Sequence, residues 1–144
     1  MSIVDAAIGD PLPPLIKPPV TQEQLRRYAD ASGDYNPIHL DEEAARRVGL
    51  ESVIAHGMLS MAFLGQFISQ QLPPDPGARV SHLSVRFTSM VRLGDTLTCL
   101  GTVKERGQDA QGQAFIQVEC WVQNQKGEKV TQGQATISLP SPAA

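Results

Sequence analysis

The sequence predicts an α+β fold in which a curved antiparallel sheet wraps around a long central helix. From Met58 to Leu72 the hydrophobic residues fall on every side of a helix, and a helix of that kind requires burial. After Gly77 apolar and polar residues alternate, as they do in half-buried antiparallel strands. The helical segments come first and the strands follow. A sheet folded around the apolar helix therefore places both hydrophobic patterns in one core.

The chain has 144 residues, a length that suits one domain with a substantial hydrophobic core. Hydrophobic residues make up 41% and charged residues 19%, which excludes an intrinsically disordered protein. The formal net charge is −3 and no long basic run is present, so we expect no nucleic-acid partner. Two separate subdomains would each lack a sufficient core. A single domain over residues 1–144 is therefore predicted.

We expect a cytoplasmic protein without a membrane-spanning segment. The first residues lack the cationic and apolar pattern of a secretory signal. The apolar stretch from Met58 to Leu72 is interrupted by serine, glycine and glutamine, which argues against a membrane span. Cys99 and Cys120 have no histidine or cysteine beside them at metal-ligand spacing, so we expect them to be buried on neighbouring strands.

The first elements of the chain are predicted from proline content and capping signals. Residues 1–20 contain five of the 11 prolines and should form an extended leading segment, with at most a short strand near Leu15 to Lys17. Thr21 followed by Gln24 is a capping-box pattern, which predicts a helix from Gln22 to about Ala31.

A loop is predicted from Gly33 to Leu40, followed by a short helix from Asp41 to about Val48. Acidic residues occupy the first turn of this helix and arginines the last, which is the order that the helix dipole favours. Pro37 excludes the helical conformation from the residue before it, so the loop should be extended at Asn36.

About four long strands are predicted after Gly77. Alternation of apolar and polar residues indicates three of them, and Gly94 precedes the fourth. A loop from Arg106 to Gly112 and a tight turn from Gln125 to Glu128 should join consecutive strands. The strand after Gly94 is expected over Thr96 to Val103. The apolar faces of the other three are expected to comprise Leu83, Val85 and Phe87, alternate residues from Ala114 to Val122, and alternate residues from Ala135 to Leu139. A flexible tail is expected over 140–144.

Asp34 and His39 bracket a short loop that contains Pro37. Such a loop allows a carboxylate and an imidazole to converge on one small volume, as an acid–base pair requires. Asn36 lies between them and can hold a water molecule or orient a neighbouring group through its amide. The spacing leaves an alternative open, in which Asp34 forms an Asx-turn and His39 caps the helix that follows.

His56 and Gly57 directly precede the buried helix and are candidates for binding a substrate oxyanion. The first residues of a helix expose free backbone N–H groups at the positive end of the helix dipole. Gly57 lets a ligand approach that backbone closely, which suits an oxyanion site for a thioester carbonyl. The alternative is that Gly57 only permits close packing of the helix against the sheet.

The string SGDYNPIHLD from Ser32 to Asp41, followed by AHGM from Ala55 to Met58, resembles the hydratase-2 motif of the MaoC-like dehydratases. This family comprises (R)-specific enoyl-CoA hydratases and (3R)-hydroxyacyl-thioester dehydratases. The likeness extends from about Thr21 to Leu139, and its specific motifs lie within residues 33–61 without a departure from the pattern. The resemblance implies the hot-dog fold, in which a sheet wraps a long central helix.

The resemblance also implies a role for each residue of the motif. Asp34 would be the general base, alone or sharing a water molecule with His39, and His39 would complete the activation of that water and shuttle the second proton. Asn36 would orient the water or the catalytic groups, and the backbone N–H of Gly57 would hold the thioester oxygen. Residues that would line the acyl pocket, unless they belong only to the core, are Phe63, Gly65 and Phe67.

The implied activity is reversible hydration of trans-2-enoyl thioesters to (3R)-hydroxyacyl thioesters in fatty-acid metabolism. No metal or redox cofactor is implied, because the substrate carries its own activating thioester on coenzyme A or on the phosphopantetheine of an acyl carrier protein. A short chain of this family is expected to form a homodimer, or to be the catalytic member of a heterodimer with another hot-dog subunit.

Two alternative functions remain on the same fold. A hot-dog acyl-CoA thioesterase usually places a carboxylate on the central helix, and the stretch from Met58 to Leu72 contains no Asp or Glu. A non-catalytic acyl-binding subunit would not need Asp34 and His39. Both features favour the hydratase.

Overall fold

The structure, a computed structural model, describes residues 2–140. A five-stranded antiparallel sheet has the strand order β1-β3-β4-β5-β2, and three helices precede its four long strands. The elements are β1 (Leu15–Ile16), α1 (Gln22–Ser32), α2 (Glu42–Arg47), α3 (Gly57–Ser69), β2 (Arg79–Phe87), β3 (Thr98–Gln108), β4 (Ala114–Gln123) and β5 (Lys129–Ser138), with short 3-10 turns at Ile3–Asp5 and Pro37–His39. From residue 141 onward the predicted flexible tail lies outside the described residues.

Helix α3 is buried on most sides, as predicted, but it ends at Ser69 and not at Leu72, because the prolines that follow Leu72 are preceded by a turn. Leu64, Phe67 and Ile68 are fully buried, whereas Met58 at the start of the helix is 54% exposed. The sheet can approach the helix closely at Gly101 in β3, where an added Cβ would lie 3.1 Å from the ring of Phe67. The described part of the chain contains no helix long and apolar enough to cross a membrane.

The leading segment lies along the outer edge of β3. The N–H of Gly9 donates to the carbonyl of Val103 at 2.7 Å, and the N–H of Leu12 donates to the carbonyl of Gly101 at 2.8 Å. Its apolar side chains Ile3 and Leu12 are buried in the common core. An extended, proline-rich segment therefore covers this edge of the sheet, and β2 is left as the edge strand on the other side.

The helices and turns confirm most of the local predictions. Thr21 caps α1 by accepting from the N–H of Gln24 at 3.1 Å, and Asp41 caps α2 with its own carboxylate. Asn36 is extended, with φ −55° and ψ 125°. The predicted loop from Gly33 to Leu40 contains a 3-10 turn, because Asn36 and Pro37 together provide a cap and a first residue for it.

The strands differ from the predicted boundaries and faces in several places. Strand β3 begins at Thr98 and not at Thr96, and it continues to Gln108, through part of the predicted loop, because Arg106 to Gln108 pair with Ala114 to Ile116 across the hairpin. Phe87 was expected on the buried face, yet it is 49% exposed, because β2 is an edge strand; its ring lies beside Gly57 at the start of α3.

The two cysteines are buried on adjacent strands, as predicted. Cys99 lies in β3 and Cys120 in β4, where each is almost fully enclosed. Burial raises the pKa of both thiols to about 12. Both side chains are therefore uncharged components of the core.

We predict that Gly133→Ala destabilises the protein strongly. A Cβ at this position would overlap the carbonyl oxygen of Ser84 and lie 2.9 Å from the Cα of Val85, so strands β2 and β5 would have to separate. The free energy of unfolding in urea should fall by at least about 2 kcal/mol.

Gly107→Ala is the matched control, because Gly107 also lies in a strand and a Cβ there would meet only the ring of Phe115 at 3.9 Å. This substitution should change the free energy of unfolding by less than about 1 kcal/mol. Equal stabilities of the two variants would contradict the close approach of β2 and β5.

Candidate active site

The loop after α1 brings Asp34 to the site. Gly33 ends the helix in the left-handed conformation, with φ 78°, and its N–H donates to the carbonyl of Ala29 at 2.8 Å. The chain then reverses direction, and the N–H of Asp34 donates to the hydroxyl of Ser32 at 3.2 Å. A glycine C-cap thus aims the carboxylate away from α1 and toward the start of α3.

The two carboxylate oxygens of Asp34 have different environments. Oδ1 accepts from the backbone N–H of Asn36 at 3.2 Å, which is an Asx-turn. Oδ2 lies 3.9 Å from Nε2 of His39, and the Asp34 side chain is half-exposed. The turn-forming alternative is therefore confirmed, and it is compatible with the acid–base prediction, since one oxygen shapes the loop and the other faces the imidazole.

His39 is buried and its tautomer is determined by one hydrogen bond. Nδ1 lies 2.7 Å from the carbonyl oxygen of Ile54, and a carbonyl can only accept. Nδ1 therefore carries the hydrogen in the neutral ring, and Nε2 presents its lone pair toward Asp34. The alternative that His39 caps the next helix is wrong, because Asp41 accepts from the first N–H groups of α2.

Asn36 is committed in part to the loop itself. Its Oδ1 accepts from the N–H of Ile38 at 3.2 Å and so caps the 3-10 turn that carries His39. The amide NH2 group is the part of the side chain that remains free, and its role in orienting a water molecule stays a prediction. The backbone carbonyl of Asn36 also accepts from the N–H of His39 at 3.1 Å, so the turn determines where the histidine lies.

His56 contacts Asp34, His39 and Tyr28. The side chain is 2% exposed, and its Nε2 donates to the backbone carbonyl of Asp34 at 3.0 Å. Its ring stacks on His39 with centroids 3.9 Å apart and planes at 26°, and Tyr28 meets it edge-on at 4.8 Å. Burial lowers the pKa of His56, and the neighbouring His39 lowers it further. His56 is therefore neutral near pH 7.

Asp34, His39 and His56 also bring three possible metal ligands within 4.8 Å of one another. The two rings are stacked, however, so their nitrogen lone pairs lie in nearly parallel planes and do not point to one position. One nitrogen of each ring is already bonded to a backbone carbonyl. A tetrahedral metal site requires converging lone pairs, and this arrangement is better suited to proton transfer.

Gly57 begins α3, so its N–H has no acceptor within the helix, and the His56 side chain does not cap it. The backbone here is held by Ser60, whose hydroxyl donates to the carbonyl of Gly57 at 2.9 Å. Ser60 is itself bonded to Thr131 of β5 at 2.6 Å. The Phe87 ring would lie 3.4 Å from a Cβ at Gly57, which shows the close packing that the alternative reading expected. This packing leaves the N–H available to an oxyanion.

The two phenylalanines proposed for the acyl pocket lie farther along α3. Phe67 is fully buried against the sheet, and Phe63 is 7% exposed beneath the ammonium group of Lys17 at 4.8 Å. At 1.5 Å per residue, they are about 9 and 15 Å along the helix axis from Gly57. Both belong to the core in the single chain, and their role in an acyl pocket stays a prediction.

Sequence reasoning missed two kinds of residue at this site. Ser60 and Thr131 form a buried hydroxyl pair between α3 and β5, and nothing in their neighbourhoods along the chain relates them. Tyr28 was expected on the apolar face of α1 with Leu25 and Ala29, but its contact with His56 was not. The signal that could have predicted this contact is the presence of an aromatic ring on the buried face of α1.

Comparison with known proteins shows which family the chain resembles. A family model described as a MaoC-like domain matches residues 4–138. An (R)-specific enoyl-CoA hydratase from Rhodospirillum rubrum is 33% identical over 122 residues, which cover 85% of this chain and 81% of the relative. A solved R-hydratase from Pseudomonas aeruginosa is 32% identical with a TM-score of 0.81, covering 96% of this chain and 85% of that one. An (R)-hydratase from A. caviae, described as involved in PHA biosynthesis, has the same TM-score of 0.81 at 27% identity, covering 94% and 98% of the two chains.

The predicted fold and family are thereby confirmed. The sheet curled around α3 is shared with the R-hydratases, and the family match spans nearly the whole described chain. The predicted class of enzyme is confirmed as well, because the relatives are hydratases and dehydratases. This chain therefore belongs to the MaoC-like family and is a hydro-lyase with the hot-dog fold.

Proposed function

We propose that the chain catalyses reversible addition of water to trans-2-enoyl thioesters, giving (3R)-hydroxyacyl thioesters. The observation that carries the proposal is the approach of Asp34 Oδ2 to the free Nε2 of His39, at 3.9 Å, in the loop that His56 attaches to the residue before α3. This separation is too long for a direct hydrogen bond and suits one bridging water molecule. The names of the relatives support the same reaction type.

In the proposed reaction the water oxygen adds to C3 of the enoyl group while Asp34 or His39 accepts its proton. The electron pair of the C2–C3 double bond moves toward the thioester oxygen, where the Gly57 N–H stabilises the negative charge. A proton from the pair is then delivered to C2 on the same face, so that one molecule of water is added in total. The thioester itself supplies the electron sink, so the proposal includes no metal or redox cofactor.

Features of the same site disfavour the two alternative functions, a thioesterase and a non-catalytic acyl-binding subunit. Helix α3 carries no carboxylate, which disfavours a thioesterase that uses one there. A non-catalytic acyl-binding subunit would have no use for a buried His39 whose free nitrogen faces Asp34. We further propose that the acyl group is carried on coenzyme A or on acyl carrier protein. The predicted role in fatty-acid metabolism and the cytoplasmic location also stay predictions.

We predict that Asp34→Asn and His39→Asn each lower kcat for crotonyl-CoA hydration by about 100-fold or more. Asn at position 34 retains an oxygen for the Asn36 N–H, so mainly the charge is lost. Asn at position 39 can still donate to the Ile54 carbonyl, so mainly Nε2 is lost. The measurement is the decrease in absorbance of the conjugated thioester.

Asp109→Asn is the control for these variants, because Asp109 also forms an exposed Asx-turn, with the N–H of Gln111 at 2.9 Å, and it lies at the β3–β4 hairpin. Its activity should equal that of the unsubstituted chain. The double variant of Asp34 and His39 should lose far less than the product of the two single losses, since both act on one water molecule. A folded Asp34→Asn or His39→Asn variant with nearly normal activity would refute the assignment and favour the acyl-binding subunit.

A second prediction tests the oxyanion donor at Gly57. Gly57→Pro removes this N–H and adds the pyrrolidine ring, and proline is favoured at the first position of a helix. The residue before it is already extended, as proline requires, with His56 at φ −61° and ψ 134°. We expect kcat to fall by about 100-fold or more, because one oxyanion-hole donor is lost.

Gly57→Ala is the matched control, since it retains the N–H and adds a methyl group that meets the Phe87 ring at 3.4 Å. Its kcat should fall by less than about tenfold, well short of the loss expected for an oxyanion donor. If the proline variant is as active as the alanine variant, the Gly57 N–H does not bind the thioester oxygen.

We also propose that the chain pairs through the β2 edge, as a homodimer or with another hot-dog subunit. The leading segment covers the β3 side of the sheet, whereas β2 is an edge strand of nine residues. Met58, Phe87 and Met90 near this edge are each about half-exposed. Exposed apolar side chains next to an open edge favour a partner, and the half-exposed Asp34 is then enclosed by the assembly.

Sedimentation of the purified chain at micromolar concentration should accordingly give a dimer. Along an edge strand, successive N–H groups point alternately to the neighbour and to the open side. In one of the variants Ser84→Pro and Val85→Pro, the proline therefore removes an N–H that bonds to β5, and β2 should separate from β5. In the other variant the proline removes an N–H on the open side, and the chain should fold as a monomer. A stable monomer of the unsubstituted chain, without a second subunit purified beside it, would contradict the pairing.

A further inference from the structure

We propose that His56 is a positioning residue, which holds the Asp34 backbone and the His39 ring in the relative geometry that proton transfer requires. This inference rests on the proposed hydratase function and deepens it. The sequence placed His56 with Gly57 in substrate binding, whereas the contacts of its ring are with the two acid–base residues and not with an open surface.

The first contact locates the catalytic loop. The hydrogen bonds that Asp34 makes with Ser32 and Asn36 each span two residues, so they shape the loop without attaching it to the rest of the molecule. The bond from His56 Nε2 to the Asp34 carbonyl, at 3.0 Å, spans 22 residues. It therefore attaches the exposed loop to the first residue before α3.

The second contact fixes the plane of the His39 ring. One hydrogen bond from Nδ1 to the Ile54 carbonyl anchors His39 at a single atom, about which the ring could still tilt. His56 stacks on one face of that ring, with the centroids 3.9 Å apart, and Tyr28 contacts His56 edge-on. Because His56 is 2% exposed, it has little freedom to move away. The direction of His39 Nε2 is thereby restricted.

The chemistry of the ring also suits positioning better than proton exchange. The Nε2 of His56 donates to the Asp34 carbonyl, and its Nδ1 is buried with no hydrogen-bond partner among the described residues. The titratable groups that face the ring are Asp34, His39 and Tyr28, and burial lowers its pKa. A neutral ring can stack on His39 in both protonation states of that residue without placing a second positive charge beside it.

Two substitutions separate the two contacts. His56→Phe retains a flat ring that can stack on His39 but removes the donor to Asp34. His56→Gln retains a donor near the position of Nε2 but removes the stacked ring. For crotonyl-CoA hydration we expect kcat to fall by about 100-fold in the phenylalanine variant and by about tenfold in the glutamine variant, since misplacement of reacting groups has effects of that order. KM should stay within about twofold.

The pH dependence distinguishes positioning from catalysis. A positioning residue lowers the plateau of kcat/KM and leaves its acidic and basic limbs in place. Loss of one limb in His56→Phe would make His56 an acid–base group, and a raised KM with unchanged kcat would make it a substrate contact. Either result would overturn the proposal, as would a folded His56→Phe variant with kcat within about threefold of the original.

Nitrogen NMR of the histidine rings provides a readout that needs no substrate. In the unsubstituted chain the His39 ring should show the Nδ1–H tautomer and a single environment, and in both His56 variants its signals should shift or broaden. Unchanged His39 signals in the variants would overturn the proposal even if activity falls. If the unsubstituted chain does not hydrate enoyl thioesters, the proposed function fails, and the NMR result still decides whether His56 positions His39. Should His56→Phe fail to fold, the glutamine variant and its NMR spectrum decide alone.

Discussion

Helix α3 has almost no polar side chains to present to water, and its burial is the constraint on which the other elements depend. Each large side chain such as Phe67 or Leu64 stabilises the fold by about 1.5–3 kcal/mol when fully buried. The sheet backbone comes close to the helix at Gly101, beside the Phe67 ring, and β5 comes close to the backbone of β2 at Gly133. A strongly curled sheet is the geometric result. The leading segment then covers the β3 side and leaves β2 open.

Burial of the helix also determines where chemistry can occur. The face of α3 that carries Leu64, Phe67 and Ile68 is enclosed, and the first turn is accessible at Gly57 and Met58. Free N–H groups and the positive end of the dipole are found at this accessible end. The loop after α1 is attached there by His56, so the Asp34 carboxylate and the His39 and His56 rings lie within 4.8 Å of one another beside the residue that precedes α3.

Three residues of the candidate site each use one polar atom in a structural hydrogen bond and leave another polar atom free. Asp34 forms the turn with Oδ1 and faces His39 with Oδ2. Asn36 caps the 3-10 turn with its oxygen and retains its NH2 group. His39 satisfies a backbone carbonyl with Nδ1 and keeps Nε2 free. A carboxylate, an amide and an imidazole each have two polar atoms, so the loop can be rigid without losing its reactive groups.

The sequence by itself determined the local features and, through a specific motif, the family. Capping by Thr21, the extended Asn36 before Pro37 and the alternating strands depend on residues a few positions apart, so they can be predicted from neighbours along the chain. Only the tertiary structure decided the extension of β3 by pairing across its hairpin and the contacts of His56 with Asp34 and His39. The same holds for the exposure of Phe87 and the bond between Ser60 and Thr131, which are 71 residues apart. Hydrophobic period and capping specify which face of an element is buried, but not which residue of a distant element it meets, because that depends on how the whole sheet curls around α3.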